Sequence, residues 1–491
     1  MMSSRLVPCM IAAFTIALVA GGTCPAAPPA KQPAAKPISF IHDVAPIFKE
    51  NCFACHDSRK RKGKLDMTTY ASLRKGRGDD DPITPGHPED SDLFERITAK
   101  GSRRMPPKDG GEPLSKTQIH IIQQWIRQGA KLDGAVQPTA DLLRELRIRW
   151  EPPIPPTVYP YPVDINAVIF TPDGKKLVVG GYHELTVWDV AQGKLEKRVR
   201  MRAERAKAMV FLPDGKLIVA GSRPGQEGDV RIYDLNGSAP HVVGGIAYLD
   251  GVHDSKVMLK QLLDTDDEVL CLALSPDGKK LASGGCDRLV RVWDLSRGWV
   301  HARLDQTIEN HADWVFGVAF SPDGKRLLTA SRDKTAKVWD LAAKESVITF
   351  PEHQAGVFGV AISPDGKVGV SVGQDNQVRY WNTGGEGKQI RTSGGHGGEI
   401  FKVIWNAKPP LLVTCSADKT VRLWNPDNGS LIRALTGHTD QVYAIALSPD
   451  AKQVASGSWN GQVIVWNVAD GKVVRSFNAS PGLARQVTRG K

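Results

Sequence analysis

Two cysteines and a histidine form the most closely spaced reactive group in the chain, in the segment NCFACH that contains Cys52, Cys55 and His56. Cysteines three positions apart lie on one side of a helical turn, where their sulfurs can form thioethers with both vinyl groups of one porphyrin. His56 would then project toward the iron as the proximal ligand, and its other ring nitrogen would donate to a backbone carbonyl. The C-x-x-C-H spacing therefore predicts one covalently attached haem c with its iron.

Two other kinds of site use paired cysteines, and both fit this sequence less well. A structural zinc site needs two more ligands at compatible spacing, and the chain has no second C-x-x-C segment. A thioredoxin-like redox pair needs a strand before the motif and a βαβ context. The residues before Cys52 instead carry an apolar helical pattern, because Val44, Ile47 and Phe48 repeat at helical spacing.

The sixth ligand of such an iron would come from elsewhere in the domain, and Met105 in the segment RMPP is the best candidate. Pro106 and Pro107 remove backbone donors and hold an extended loop, so the thioether is presented with little conformational freedom. A Met partner for the proximal His raises the haem potential and favours electron transfer over binding of oxygen or peroxide. His87 and His42 are the rival ligands, and either would lower the potential.

Helices are predicted at both ends of this region. The first follows Asp43, which has the residue type of an N-cap. The second follows a capping box formed by Ser115 and Gln118, and Gly129 marks its end. Their apolar stripes can pack on each other and on the porphyrin, which predicts a small all-α domain over residues 38–135.

The stretch from Phe40 to Gly134 resembles the planctomycete-type cytochrome c domain. The matching segments read DVAPIFKENCFACH, GKLDMTTYASLRKG, PGHPEDSDLFERI, RMPPKDGGEPLS and IQQWIRQGA. The resemblance implies thioether links at Cys52 and Cys55, with His56 as proximal and Met105 as distal ligand. His87 departs from the small polar residue common at its position. Membership implies electron transfer without naming a substrate.

From residue 161 the sequence repeats with a period of about forty residues, which is typical of propeller blades. Each unit has an alternating β pattern and a hairpin turn, most often PDG, and ends in an aromatic residue followed by an acid or amide. The strand ends are Trp188-Asp189, Tyr233-Asp234, Trp293-Asp294, Trp339-Asp340, Trp381-Asn382, Trp424-Asn425 and Trp466-Asn467. This pattern resembles the WD-repeat family and implies an all-β seven-bladed propeller over residues 161–479. The longest gap predicts a protruding loop near residues 241–256.

The WD-repeat resemblance also implies buried sets in which a His, a turn acid and a strand Trp bond to a strand hydroxyl. The matching residues are His311, Asp333 and Trp339; His353, Asp375 and Trp381; His396, Asp418 and Trp424; and, imperfectly, His438, Asn460 and Trp466. Their role is structural. Partner binding is expected at exposed positions beside the turns, just before the turn acid, namely Cys286, Arg332, Gln374, Ala417 and Trp459. Trp459, Arg332 and Trp314 are the candidate partner-binding residues, because exposed aromatic and Arg side chains anchor interfaces, although core packing of Trp459 is an open alternative.

The first residues predict export. Arg5 supplies a positive charge ahead of an apolar run, residues 11–20, that is too short to span a bilayer. We therefore predict a signal peptide over residues 1–27 and a periplasmic or otherwise extracytoplasmic location, with lipid attachment at Cys24 as an open alternative. Residues 28–37 are a predicted Pro/Ala linker, residues 136–160 a short helix and Pro-rich linker, and residues 480–491 a flexible tail.

The remaining cysteines fall on predicted propeller strands, at Cys271, Cys286 and Cys415. We interpret them as small buried hydrophobic residues. A bridge between Cys271 and Cys286 within one hairpin is an open alternative. This alternative matters because thiols outside the cytoplasm oxidise unless they are committed to a disulfide, a metal or a cofactor.

The net charge of +11 points to an acidic partner of some kind. Export excludes nucleic acid as that partner, and no transmembrane span is predicted. A basic run follows the cysteine motif and is either a solvated loop or a docking face for an acidic redox partner. Its members are Arg59, Lys60, Arg61, Lys62 and Lys64.

These features predict an electron-transfer protein rather than an enzyme, because the propeller offers no nucleophile with a base, no phosphate loop and no open metal site. The propeller would dock a redox partner or other extracytoplasmic proteins. One alternative is a scaffold or interaction protein whose haem senses redox state or is vestigial. Another is haem catalysis such as peroxide reduction, which requires an open face on the iron.

Overall fold

The computed structural model describes residues 37–58, 60–78 and 80–483, which form two compact units divided between Trp150 and Glu151. The predicted signal peptide, Cys24, residues 28–36 of the predicted linker and residues 484–491 of the predicted tail lie outside the described residues. None of the described helices combines the length and apolar character that crossing a bilayer requires.

The first unit is a small helical domain, as predicted. A π-helical turn at Phe40–Val44 leads into the first of five α-helices. The helices are α1 Ala45–Asn51, α2 Tyr70–Lys75, α3 Asp92–Thr98, α4 Lys116–Arg127 and α5 Leu142–Arg149. Short 3₁₀ turns at Lys62–Lys64, Pro88–Asp90 and Gly101–Arg103 connect them.

The first helical segment begins one turn earlier than the sequence predicts. Ser39 is its N-cap, since the Ser39 hydroxyl accepts a hydrogen bond from the His42 N–H at 3.1 Å. Asp43 lies inside the first turn, and its carboxylate accepts from the Ser39 N–H at 2.8 Å. The predicted N-cap Asp43 is therefore wrong, because the residue that satisfies the free N–H groups stands four positions before it.

Helix α4 has the predicted capping box, and its buried face organises the core. The Ser115 hydroxyl accepts from the Gln118 N–H, and the Gln118 side chain accepts from the Ser115 N–H. Trp125 is buried on this helix and packs on Phe40 with ring centroids 5.1 Å apart. Its indole N–H donates to the Lys131 carbonyl at 2.9 Å, so the one polar atom of the ring is satisfied.

Helix α5 belongs to this core although the sequence placed it in a linker. Asp141 caps it, and Leu142 is fully buried with Val136 among the core residues. The backbone N–H of Leu142 also donates to the Thr68 carbonyl at 2.8 Å. The helical unit therefore extends past the predicted domain end at residue 135.

The second unit is a seven-bladed β-propeller, as predicted. Every blade has a core of four antiparallel strands, and a two-stranded hairpin extends the sheet of blade 1 to six strands. Blade 1 contains β1 Val168–Phe170, β2 Lys176–Gly180, β3 Glu184–Asp189 and β4 Lys194–Arg200. Blade 2 contains β5 Arg205–Phe211, β6 Leu217–Arg223, β7 Glu227–Tyr233 and, beyond the hairpin β8 His241–Val243 and β9 Ile246–Asp250, the outer strand β10 Met258–Thr265. Blade 3 contains β11 Val269–Leu274, β12 Lys280–Gly285, β13 Leu289–Asp294 and β14 Arg303–Glu309.

The remaining blades follow the same plan without insertions. Blade 4 contains β15 Val315–Phe320, β16 Arg326–Ser331, β17 Ala336–Asp340 and β18 Glu345–Phe350. Blade 5 contains β19 Val357–Ile362, β20 Val368–Gly373, β21 Val378–Asn382 and β22 Gln389–Ser393. Blade 6 contains β23 Ile400–Asn406, β24 Leu411–Ser416, β25 Thr420–Trp424 and β26 Leu431–Thr436. Blade 7 contains β27 Val442–Leu447, β28 Gln453–Ser458, β29 Gln462–Asn467 and β30 Val473–Asn478.

The long insertion after β7 is a hairpin rather than the predicted protruding loop. Strands β8 and β9 pair with each other, and β9 runs parallel to β4 at the outer edge of blade 1. Leu249 of β9 is buried in the core between blades 1 and 2. Without β9, strand β4 would be an open edge, and the unpaired N–H and C=O groups of an open edge readily bind another strand. The insertion therefore pairs with the sheet instead of protruding, and the predicted loop is wrong for this reason.

The ring closes where blade 7 meets blade 1, and each blade is built from its own consecutive strands. Phe477 of β30 stacks on Trp188 of β3 with ring centroids 4.4 Å apart. The chain before β1 runs beside the chain after β30, where the Tyr159 N–H donates to the Pro481 carbonyl at 3.0 Å. The buried Ser480 hydroxyl also accepts from the Val163 N–H at 2.9 Å. Apolar packing and these hydrogen bonds therefore hold the ring without exchange of a strand.

Candidate functional site

Helix α1 leads directly into the cysteine motif. The helix ends at Asn51, and the Cys52 N–H still donates to the Phe48 carbonyl at 2.8 Å, so the motif starts as a continuation of the helical turn. The N–H groups of Cys55 and His56 both donate to the Cys52 carbonyl, at 3.1 and 3.0 Å. The two thiols and the imidazole thus lie on one tight turn.

Cys52, Cys55, His56 and Met105 line one cavity of about 510 Å³. This volume falls in the range of small-molecule and cofactor sites. The apolar part of its wall consists of Leu65, Met67, Leu93, Ile97, Pro106 and Pro107. The structure therefore brings together all four residues that the sequence predicted as ligands, although Met105 is far from the other three along the chain.

Burial favours the neutral forms of Cys52 and His56 on the motif turn. Burial, with a smaller contribution from Cys55, raises the pKa of the Cys52 thiol to about 12. Burial also lowers the pKa of His56, although the backbone groups of Leu65 and Lys62 act in the opposite direction. The buried Nδ1 of His56 makes no hydrogen bond of standard geometry with the described residues. The backbone groups of Leu65 and Lys62, which act on the ring, are the candidates for the predicted contact with a carbonyl.

Backbone contacts fix Met105 in its loop. Its N–H donates to the carbonyl of Arg96 at the end of α3, at 3.0 Å. The guanidinium of Arg104 donates to the Gly111 carbonyl at 3.1 Å, which closes the loop that carries Met105 and its prolines. The rival ligands do not line the cavity: the side chain of His87 is 62 % exposed beside Glu89, and His42 is exposed.

Two cationic side chains in the cavity wall were not singled out in the sequence. Arg96 pairs with Asp92 at 3.0 Å, and Arg77 approaches the same carboxylate at 4.0 Å. No local pattern marks them, because they reach the cavity from separate segments of the unit. The basic run after the motif is exposed from Lys60 to Lys64, whereas Arg59 lies outside the described residues.

Two family models match this chain. The planctomycete cytochrome C model matches residues 52–109, which include Cys52, Cys55, His56 and Met105. The WD domain, G-beta repeat model matches residues 258–294, 303–340, 344–382, 387–425 and 429–467. The chain joins a planctomycete cytochrome C domain to a WD-repeat propeller. Blade 1 and the first three strands of blade 2 lie outside the matched segments, and the structure supplies the evidence that they complete the ring.

Similarity to curated proteins is local. The protein groucho of Drosophila melanogaster is 26 % identical over 135 residues, which are 27 % of this chain and 16 % of that protein. A probable serine/threonine-protein kinase, PkwA, of Thermomonospora curvata is 43 % identical over 56 residues, which are 11 % of this chain and 7 % of that protein. The chain therefore spans less than a fifth of the length of either relative.

The WD-repeat propeller contains the buried polar sets that the family resemblance implied. In blade 5, His353 Nδ1 lies 3.0 Å from Asp375, its Nε2 lies 2.7 Å from the Ser371 hydroxyl, and the Trp381 indole N–H donates to that hydroxyl. Equivalent contacts join His311, Asp333, Thr329 and Trp339, and His396, Asp418, Thr414 and Trp424. Their ring nitrogens are all occupied, which agrees with a structural role.

The fourth set is incomplete, as its sequence indicated. His438 Nε2 lies 2.7 Å from the Ser456 hydroxyl, but its buried Nδ1 makes no hydrogen bond of standard geometry with the described residues, and the side chain of Gln462 acts on the ring only weakly against burial. The amide of Asn460 donates to the Thr439 hydroxyl instead. Burial consequently lowers the pKa of His438 to about 4.

The predicted binding positions are equivalent to one another in the propeller. In each of blades 3 to 7, the backbone N–H of the residue at the predicted position donates to the carbonyl of the residue just before the innermost strand of that blade. The five residues are Cys286, Arg332, Gln374, Ala417 and Trp459. Trp459 is 56 % exposed, so core packing is excluded for it. Trp314 is 39 % exposed, and the guanidinium of Arg332 lies 4.8 Å from the centre of its ring.

The cysteines of the propeller are free thiols. Cys271 and Cys415 are buried, as expected for small hydrophobic residues, and Cys286 is partly buried. The Cys271 thiol points at the carbonyls of Gly284 and Val315 rather than at Cys286. The alternative of a Cys271–Cys286 bridge is therefore not realised in this structure.

Proposed function

We propose that this chain is an exported electron-transfer protein with one covalently attached haem c in its helical unit. Cys52 and Cys55 would form the thioethers, and His56 and Met105 would be the axial ligands of the iron. The observation that carries this proposal is the shared cavity, because it assembles a C-x-x-C-H turn and a distant methionine around one space of cofactor size.

The state of His56 supports its assignment as a metal ligand. The ring lines the cavity, and the backbone groups of Leu65 and Lys62 act on it, so the backbone can hold one ring nitrogen while the other is left for a metal. Burial lowers the pKa of His56 and so favours neutral imidazole, which is the form that binds a metal. The His56 carbonyl accepts the Met67 N–H at 2.8 Å, which fixes the backbone beneath the ring.

The assignment of Met105 favours electron transfer over catalysis. A haem with His and Met ligands supplies a one-electron couple of raised potential and leaves no open position for oxygen or peroxide. Met105 is restrained by its backbone bond to Arg96 and by the two prolines that follow it. A restrained thioether loses little conformational freedom when it coordinates a metal, which supports its role as the distal ligand.

The propeller would act as the docking platform. WD propellers offer rigid surfaces for protein–protein contact. The His, Asp and hydroxyl sets of this propeller have buried His rings whose two nitrogens are both occupied by hydrogen bonds, which agrees with a structural role. We propose that it binds a redox partner, with an acidic protein favoured by the net charge of +11, or other extracytoplasmic proteins. Export itself rests on the predicted signal peptide over residues 1–27.

The decisive experiment is expression of the full chain with its leader in cells that possess haem-attachment machinery. Intact mass spectrometry should show one added porphyrin, and reduction should sharpen a low-spin visible spectrum with a strong Soret band. The variant Cys52→Ser, Cys55→Ser should lose both signals, whereas Cys286→Ser should keep them. A wild-type protein without added mass and without a Soret band would overturn the proposal.

A further inference from the structure

The central channel of the propeller opens into a cavity of about 230 Å³ that receives one residue from every blade. The innermost strands of blades 2 to 7 each carry a β-bulge close to their first paired residue, and the bulged residue lines the cavity. Seven of the eight lining residues come from seven different blades and are, in blade order, Asn166, Lys207, Leu270, Phe316, Phe358, Phe401 and Tyr443. A β-bulge redirects a side chain out of the plane of its sheet. The same local distortion is repeated from blade 2 to blade 7.

Four of these residues form an unbroken aromatic arc on one side of the channel mouth. Phe316 meets Phe358 edge to face at 5.0 Å between ring centroids, Phe358 stacks on Phe401 at 6.0 Å, and Phe401 lies 4.4 Å from Tyr443. All four side chains are partly exposed to the channel. Contiguous exposed aromatic surface is costly in water and marks binding sites.

The arc continues onto the surface at both ends. Trp314 lies 6.2 Å from Phe316, and Trp459 lies 5.8 Å from Tyr443. Trp314 and Trp459 are two of the largest exposed apolar side chains of the propeller face. The apolar surface therefore runs from one rim residue, through the channel mouth, to the other rim residue.

A lysine without a counterion also lines this cavity. Lys402 follows Phe401 at a position where the neighbouring innermost strands have the small residues Gly359 and Ala444. Its ammonium makes no ion pair or hydrogen bond with any described residue, whereas Lys207 in the same cavity pairs with Glu268 at 3.3 Å. Burial, reinforced by Lys207, lowers the pKa of Lys402.

These features together define the chemistry of an occupant. An aromatic surface alone would suit either an apolar group or a cation, but Lys402 and Lys207 repel a cation. An ammonium that lines a largely apolar cavity gains most from an anion, because a charge pair is stronger where water is excluded. A cavity of 230 Å³ admits one or two side chains rather than a folded surface, so the occupant is a linear segment or a loop tip.

We propose that the channel mouth binds an extended segment of a partner protein in which an Asp or Glu side chain stands beside an apolar residue. The carboxylate would pair with Lys402, the apolar side chain would pack on Phe358 and Phe401, and flanking residues of the segment would contact Trp314 and Trp459. This inference rests on the proposed docking role of the propeller and is independent of the haem.

The test starts from a random heptapeptide library displayed on phage and selected on the full-length protein. Enriched sequences should share an acidic residue at a fixed distance from an apolar one. A synthetic peptide of the consensus is then titrated by fluorescence anisotropy against wild type, Lys402→Met and the matched control Lys452→Met, whose lysine is 80 % exposed at the surface. Loss of one partner from a desolvated charge pair should weaken binding to Lys402→Met by about 30-fold or more, with Lys452→Met unchanged.

A second comparison does not depend on any protein variant. The consensus peptide with its acid replaced by the matching amide should bind wild type at least about 30-fold more weakly. A Phe401→Leu variant should weaken both peptides. The inference is overturned if no sequences are enriched, if they lack an acid, or if acid and amide peptides bind equally. A visible spectrum of the same protein sample reports on the haem separately, so failure of one proposal does not imply failure of the other.

Discussion

Asp375 in blade 5 offers a direct measure of what the buried polar sets contribute. Its carboxylate accepts from His353 Nδ1 at 3.0 Å and from the Arg379 guanidinium at 3.0 Å, and its side chain is 8 % exposed. Burial opposes ionisation, but these hydrogen bonds dominate and lower the pKa of Asp375 from 3.8 to about 2. At about 1.4 kcal/mol for each tenfold change in proton affinity, the ionised carboxylate stabilises the fold by about 2 kcal/mol.

The variant Asp375→Asn should therefore reduce the free energy of unfolding by about 2 kcal/mol at pH 7. Because the pKa is lower in the folded than in the unfolded chain, this stabilisation is complete above pH 4 and declines as the pH falls toward 2. At pH 3 the difference between wild type and variant should be about half of that at pH 7. Urea unfolding followed by tryptophan fluorescence at the two pH values measures both quantities.

Asp427→Asn is the matched control, since Asp427 is exposed in a turn. It should change the free energy of unfolding by less than about 0.5 kcal/mol at either pH. Equal stability of wild type and Asp375→Asn at pH 7 would refute the reasoning. So would a difference that stays constant between pH 7 and pH 3, because it would then arise from packing rather than from charge.

Three further changes test other parts of the structure. Asn460→Asp should raise the free energy of unfolding by about 1 kcal/mol, because the buried Nδ1 of His438 would gain a carboxylate partner. The same change should raise the pKa of His438 measured by NMR, and an unchanged pKa would contradict this. Glu184→Gln should reduce the free energy of unfolding measured in urea by about 3 to 5 kcal/mol, because Arg198 would stay buried without the carboxylate that lies 2.6 Å from it. A reduction below about 1 kcal/mol would show that the pair is dispensable. Met105→Ala in the haem-loaded protein should keep the covalent haem but convert its spectrum to a five-coordinate form and lower its potential, and a spectrum identical to wild type would exclude Met105 as ligand.

Much of the fold was predictable because its signals are local. The α4 capping box needs only Ser115 and Gln118, three positions apart. Each blade repeats its turn and its strand ending within about forty residues, and the His, Asp and Trp of a polar set come from one repeat. The thiols and imidazole of the candidate site are likewise neighbours in the chain. Such features depend on a few residues that are close together in the chain, so they can be recognised without knowledge of the tertiary structure.

The features that were missed depend on contacts between distant segments. The pairing of β9 with β4 cannot be read from either strand alone, and the burial of Leu142 becomes visible only when α5 meets the rest of the core. The channel mouth is a further case, since its aromatic arc joins four repeats at equivalent positions. A comparison of the residues at the same offset in each repeat would have shown Phe316, Phe358, Phe401 and Tyr443 as a set.

The junction between blades 7 and 1 has a consequence for how the ring opens. Six of the seven boundaries between blades are crossed by the polypeptide, whereas this seam depends on noncovalent contacts such as the Trp188–Phe477 stack and the backbone bond from Tyr159 to Pro481. Under force or denaturant, the blades on either side of the seam can part while their own sheets stay intact. Because the segments before β1 and after β30 lie side by side, a short peptide linker could join the two ends of the propeller. New termini placed between two other blades would then give a circular permutant with the same ring.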